Sequence, residues 1–113
     1  IVHFLDALFA HQLVSKRSLQ EMAVLVPVPM PPQPTTPARP FAHEWRKPSY
    51  GLGLMGDPAS KWGAGLGHNG GGPGYSASAF HVPALGVSIC AIGADETFRA
   101  EDSVFRAFYV LEK

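Results

Sequence analysis

The residues best suited to chemistry lie in one run, Gly67-His68-Asn69-Gly70-Gly71-Gly72-Pro73-Gly74-Tyr75. Five glycines and a proline in nine residues point to an unusual, close backbone approach. Glycine has no Cβ, so a ligand carbonyl can reach main-chain N–H groups there. A histidine beside them can donate a hydrogen bond or relay a proton near neutral pH. A phosphate loop is an alternative, but the pattern GxxxxGK[ST] is absent and no helix directly follows. A metal centre needs more ligands. His3, His11, His43, His68 and His81 are scattered, with no HxxxH or HExxH pair, so neither a metal nor another cofactor is expected. The bland alternative for the run is a tight hairpin bearing a surface histidine.

Other candidates are weaker. Tyr75 follows Pro73-Gly74 and could touch a substrate, although packing on a strand explains it as well. Trp45 and Trp62 read as buried anchors. Ser76 and Ser78 would need a base and an orienting group beside them to act as nucleophiles. Cys90 sits in the apolar run 87–92 and reads as a buried strand cysteine. Asp95-Glu96 reads as a solvated loop, with a helix-capping role for Asp95 or Thr97.

The elements that must position these residues follow from periodicity. Leu5, Leu8, Phe9 and Leu13 share a face of a helix over 3–14. Ser15 is a fair N-cap for a second helix over 16–23, striped by Leu19, Met22 and Ala23. Eight of the 11 prolines fall in 27–48, which predicts an extended surface loop. A polyproline ligand for an SH3-type domain is a lesser reading of it. Ten of the 12 glycines lie between Gly51 and Gly74. Tyr50-Gly-Leu-Gly-Leu-Met55 reads as a strand closely approached by another backbone, and Gly56-Asp57-Pro58 as a turn. Further strands are predicted over 62–66, 75–80 and 85–92, the last ended by Gly93. Val104, Phe105, Phe108 and Leu111 stripe a helix over 99–112, with Glu101 and Asp102 in its first turn and Lys113 near its end. The fold class is α+β: helices in 1–26, the proline-rich loop in 27–48, antiparallel strands in 49–93 and a terminal helix in 94–113 laid across one face.

Bulk composition narrows the partners. The chain has 113 residues, 46% hydrophobic and 16% charged, with zero formal net charge. A chain of this length buries roughly 65% of its unfolded surface. Zero net charge argues against nucleic acid as a partner, and no stretch reaches the roughly 18 apolar residues of a membrane span. One cysteine permits no internal disulfide. The opening Ile1-Val2-His3-Phe4 has no initiator Met and reads as helix interior, so an upstream segment is expected. An isolated sheet fragment also exposes an apolar face, which makes self-association a candidate partnership.

With these segments in place, the chain resembles the C-terminal region of serine β-lactamase-like proteins: class C β-lactamases, D-alanyl-D-alanine carboxypeptidases and related esterases and amidases. The resemblance rests on Tyr50-Gly-Leu-Gly53, on Gly67-His-Asn-Gly-Gly-Gly-Pro-Gly-Tyr75, and on Leu13-Val-Ser-Lys-Arg-Ser-Leu-Gln-Glu-Met22. It covers most of the chain, least well in the proline-rich loop. It implies part of a β-lactamase/DD-peptidase-like fold. That family's active site uses Ser-x-x-Lys, Tyr-x-Asn and Lys/His-x-Gly. The third element matches through His68, Asn69 and Gly70. The resemblance implies that His68 lines the pocket, that Gly71 N–H is an oxyanion-hole donor, and that Asn69, Gly70 and Tyr75 face a small acyl substrate. Histidine in place of lysine is common among esterase and peptidase relatives, which disfavours a true β-lactamase. No serine satisfies Ser-x-x-Lys and no tyrosine satisfies Tyr-x-Asn. The nucleophile is therefore expected from an upstream segment or another chain, and this chain alone is expected to be inactive. The rival expectation is a non-catalytic relic or partner-binding module of the same fold.

Overall fold

Caps and backbone angles at their ends set the length of the first two helices. In the computed structural model, which describes residues 1–29, 35–37, 40–41, 44–95 and 97–113, α1 spans Val2–Phe9 and α2 spans Lys16–Met22. The Ser15 side chain accepts the Ser18 N–H at 3.1 Å, closing a donor that α2 itself cannot satisfy. The spacing predicted a first helix continuing to 14. It ends at Phe9 because His11 takes a left-handed conformation, φ 60, which terminates helices. Leu13 consequently stays 49% exposed.

The strands are β1 (Val26–Pro27), β2 (Ser49–Tyr50), β3 (Met55–Gly56), β4 (Leu66–Gly72), β5 (Tyr75–Val82) and β6 (Val87–Gly93), followed by α3 (Ala100–Leu111). Among the described residues they form one sheet in chain order, antiparallel throughout, and the chain is α+β. Pro27 is tolerated because β1 is an edge strand. Pro31, Pro32, Pro34, His43 and Glu96 lie outside the described residues.

Two expected strands take other shapes. The Tyr50–Met55 segment is a tight hairpin of two strands: Gly51 N–H bonds to Leu54 O at 2.8 Å, and Gly53 supplies the positive φ of the turn. The 62–66 segment is mostly turn. Gly63 has φ 74, Ser60 Oγ donates to Gly63 O, and strand pairing starts only at Leu66. The turn swings Trp62 into the core.

Strand alternation then divides β5 between two cores. Phe80 and Val82 join Trp62, Val104 and Phe108 beneath α3. Ser76 Oγ on that face accepts the Ala100 N–H at 3.2 Å. His81 turns to the opposite face, stacked on Phe9 of α1 with centroids 4.3 Å apart. On the α1/α2 side, Leu8, Leu19, Leu54 and Leu66 form a second cluster. The sheet is thus covered on both sides, α3 on one and α1 with α2 on the other. Each fully buried large apolar side chain contributes roughly 1.5–3 kcal/mol.

The α3 start differs from expectation. Its N-cap is Arg99, without a side-chain cap bond. Asp95 instead ties its own loop by accepting from Thr97 N and Oγ1, so Ser76 reaching across from β5 does the capping. Glu101 and Asp102 lie in the first turn as expected, and Lys113 falls beyond the last. Trp45 is half-buried and donates its Nε1–H to Glu101. Cys90 is likewise only half-buried on β6.

Two titratable groups tie the layers together. His81 Nδ1 lies 2.9 Å from Ser88 Oγ, whose hydroxyl donates to Asp6 Oδ1 at 2.6 Å. Burial lowers the His81 pKa, partly offset by the Asp6 charge. On the α3 side, Tyr109 donates its hydroxyl to buried Glu44. That hydrogen bond, reinforced by burial, pushes the Tyr109 pKa up to about 12.

The two shifts give stability two pH limits. Folding favours neutral His81, so its contribution is present above the ordinary imidazole value of about 6.5 and is lost as pH falls through the lowered one. Folding also favours protonated Tyr109, whose contribution is complete below about pH 10 and is lost as pH rises through about 12. Thermal midpoints measured across pH should therefore decline at both ends. His81→Gln should flatten the acid limb and Tyr109→Phe the alkaline one, each leaving the other limb in place.

A second expectation concerns the glycines of β4. A Cβ on Gly67 would collide with the Ala79 carbonyl and lie 2.6 Å from Phe80 Cα, both main chain, whereas a Cβ on Gly70 meets nothing within 4 Å. Gly67→Ala should cost roughly 2–3 kcal/mol and Gly70→Ala under about 0.5 kcal/mol. Denaturant midpoints of the two variants measure the difference.

Candidate functional site

The site is built by a mismatch of strand lengths. β4 has seven residues but β3 only two, paired as Met55↔Gly67 and Gly56↔Leu66. From His68 onward, β4 keeps β5 on one side and has no described strand on the other. Asn69 N–H points to that open edge, donating to Met55 Sδ at 3.5 Å. Main-chain groups of a strand alternate in direction with period two, so Gly71 N–H faces the same edge. Gly70 has open space where a side chain would be.

His68 stands at the start of this edge with both ring nitrogens engaged. Nδ1 lies 2.5 Å from the Asn69 carbonyl oxygen, and Nε2 lies 2.8 Å from the Tyr50 hydroxyl. The two rings meet edge to face, centroids 5.7 Å apart and 90° between planes. Beside His68 an apolar groove of about 480 Å³ runs along Phe4, Leu8, Leu13 and Leu54. A second cleft of about 330 Å³, lined by Asn69, Gly71, Ser76, Arg99 and Glu101, opens toward α3.

The expected site residues divide between these two sides. Residues paired across an antiparallel ladder share a face. His68 pairs with Ala79, Gly70 with Ala77 and Gly72 with Tyr75, in alternation with Asn69↔Ser78 and Gly71↔Ser76. His68, Gly70 and Tyr75 therefore belong to the α1/α2 face, and Asn69 and Gly71 to the α3 face. Tyr75 packs its ring over Gly72, where a Cβ would lie 2.8 Å from Cε1, and stays 52% exposed at the hairpin end. The sequence did not single out Tyr50. Its hydroxyl meets the His68 ring at the open edge of β4, a contact through space that residue spacing does not reveal.

Serine chemistry finds no home among the described groups. Ser76 Oγ is engaged by Ala100 N–H, and Ser78 is buried under α3. Asp6, Ser88 and His81 do touch, but the hydroxyl sits between carboxylate and imidazole. A nucleophile would need the imidazole between hydroxyl and carboxylate, so this trio is a tie between α1 and the sheet. Among the described residues, no three His, Cys, Asp or Glu side chains gather to hold a metal ion.

No family model matches the sequence, and no curated protein matches it. Among solved structures, the chain is similar to the crystal structure of a D-stereospecific amidohydrolase from Streptomyces sp., at 28% sequence identity and a TM-score of 0.64. The match covers 92% of this chain but 27% of the amidohydrolase, so the three-layer α+β arrangement described above corresponds to about a quarter of that hydrolase.

Proposed function

We propose that this chain is the C-terminal part of a serine acyl-transfer hydrolase of the β-lactamase-like type, and that it supplies the His-x-Gly wall and the oxyanion-hole strand of the pocket. The observation that carries the reading is the open edge of β4, where Asn69 N–H points outward, strand alternation turns Gly71 N–H the same way, and no atom fills the side-chain space at Gly70. The similarity to an amidohydrolase over nearly the whole chain supports it and puts amides, including those of D-configured residues, ahead of esters and lactams as substrates.

In this reading the nucleophilic serine, its lysine and the catalytic tyrosine come from an upstream segment or a second chain. The serine oxygen attacks the substrate carbonyl, the carbonyl oxygen becomes an oxyanion, and collapse expels the amine and leaves an acyl-enzyme that water hydrolyses. Gly71 N–H donates to that oxyanion, and a preorganised donor of this kind lowers the barrier by on the order of 3 kcal/mol. His68 supports the proton network, and Asn69, Gly70 and Tyr75 border the bound acyl group. Exposed apolar side chains at Ile1, Phe4, Leu13 and Leu52 suit the second reading, a partner-binding module without catalysis.

A fluorophosphonate or fluorescent penicillin probe, read by intact mass, separates the alternatives. The 113-residue chain alone should take up no label. A labelled chain would contain a nucleophile that this reading denies. Acyl-transfer activity should appear when a segment bearing Ser-x-x-Lys and Tyr-x-Asn is joined or supplied, and His68→Gln should then lower the rate roughly 100-fold. A completed enzyme that binds its segment but never acylates would favour the partner-binding module.

A further inference from the structure

We infer that the Asn69 carbonyl fixes which ring nitrogen of His68 carries the proton, and that Tyr50 is the positioning residue that donates to the other nitrogen. A carbonyl oxygen only accepts, so the contact between Nδ1 and Asn69 O requires the proton on Nδ1. In a neutral ring Nε2 is then a bare acceptor, and the Tyr50 hydroxyl 2.8 Å away must be its donor. The order of donation runs from Tyr50 Oη–H to Nε2, and from Nδ1–H to Asn69 O.

Tyr50 is held firmly in place to make its donation. Its strand pairs with β1 through Val26↔Tyr50 and with β3 through Tyr50↔Met55. The next residue, Gly51, lies so close to the Met22 carbonyl at the end of α2 that no Cβ fits, and Leu52 N–H bonds to the same carbonyl at 3.0 Å. β3 begins at Met55, so no strand residue stands between Tyr50 and His68 at the level of the imidazole.

The wiring has a chemical consequence. While the ring is neutral, Nε2 has no proton to give a ligand. When the ring gains a proton, Nε2–H donates to Tyr50 Oη, and the phenolic hydrogen is released to turn toward the open edge of β4. The Tyr50 hydroxyl thereby becomes the polar group that reports the His68 charge to the pocket. The direction of donation stands on geometry alone. The use of that proton in acyl transfer rests on the function proposed above.

Long-range ¹⁵N–¹H correlation of the imidazoles in the full 113-residue chain, at alkaline pH, reads the tautomer. The wild type should show His68 as a single Nδ1–H form, with widely separated nitrogen shifts. Tyr50→Phe keeps the ring packing and removes only the donor to Nε2, so the Nε2 resonance should shift by several parts per million while the Nδ1–H form, the backbone amide spectrum and the thermal midpoint stay the same. An Nε2–H tautomer in the wild type overturns the inference without any variant. A folded Tyr50→Phe chain whose Nε2 resonance does not move overturns it as well. An Nε2 resonance that responds in a chain whose completed enzyme proves inactive upholds the Tyr50 assignment and removes only the acyl-transfer reading.

Discussion

The pairing of β4 with β5 at Gly67 is the constraint on which the rest depends. Seven consecutive registers join the two strands, from Leu66↔His81 to Gly72↔Tyr75, and at Gly67 the main chain of β5 comes too close for any Cβ. That contact fixes which β4 residues face α3 and which face α1. A shift of one residue would exchange the faces along the whole strand: His68 would turn toward α3, and Asn69 and Gly71 toward α1. The same register presents Phe80 and Val82 to Val104 and Phe108. The core beneath α3 and the geometry at His68 are therefore set by one backbone approach.

The order of elements was legible because strong local signals mark it. Ser15 caps α2, the Val104–Phe108 stripe makes α3, and alternation from Tyr75 to Gly93 makes two paired strands with a turn between them. Segments governed by a single backbone angle were not legible. His11 ends α1 through a positive φ that nothing in its neighbourhood demands, so apolar spacing overran the helix by five positions. Gly53 and Gly63 act similarly: each folds a glycine-bearing apolar stretch into a turn where alternation suggested a strand. The cap of α3 was hidden for another reason, since it comes from Ser76, 24 residues away.

The candidate site shows the same division. Its glycines and histidine are contiguous, so composition alone singled out 67–75. The geometry around them depends on a neighbour's length. That β3 stops at two residues gives β4 an open edge, and across that edge the Tyr50 hydroxyl reaches His68. Neither fact is encoded near residue 68. Both follow from the tight hairpin at Gly51–Leu54, whose closure against α2 through Met22 O shortens the strands on either side.

An exposed strand edge with a glycine-rich face is normally a hazard, because unpaired N–H and C=O groups invite another strand. The open stretch of β4 carries no charged side chain from His68 to Tyr75, so charge does not guard it. Two features do. The hairpin turn at Pro73-Gly74 and the Tyr75 ring over Gly72 crowd its far end, and the His68–Tyr50 pair occupies its near end. Between them the short run Gly70, Gly71 and Gly72 stays exposed. A full strand needs more pairing length than that, whereas one carbonyl group needs only a single outward N–H. The arrangement thus discriminates by size, offering a single outward N–H where it resists a polypeptide strand.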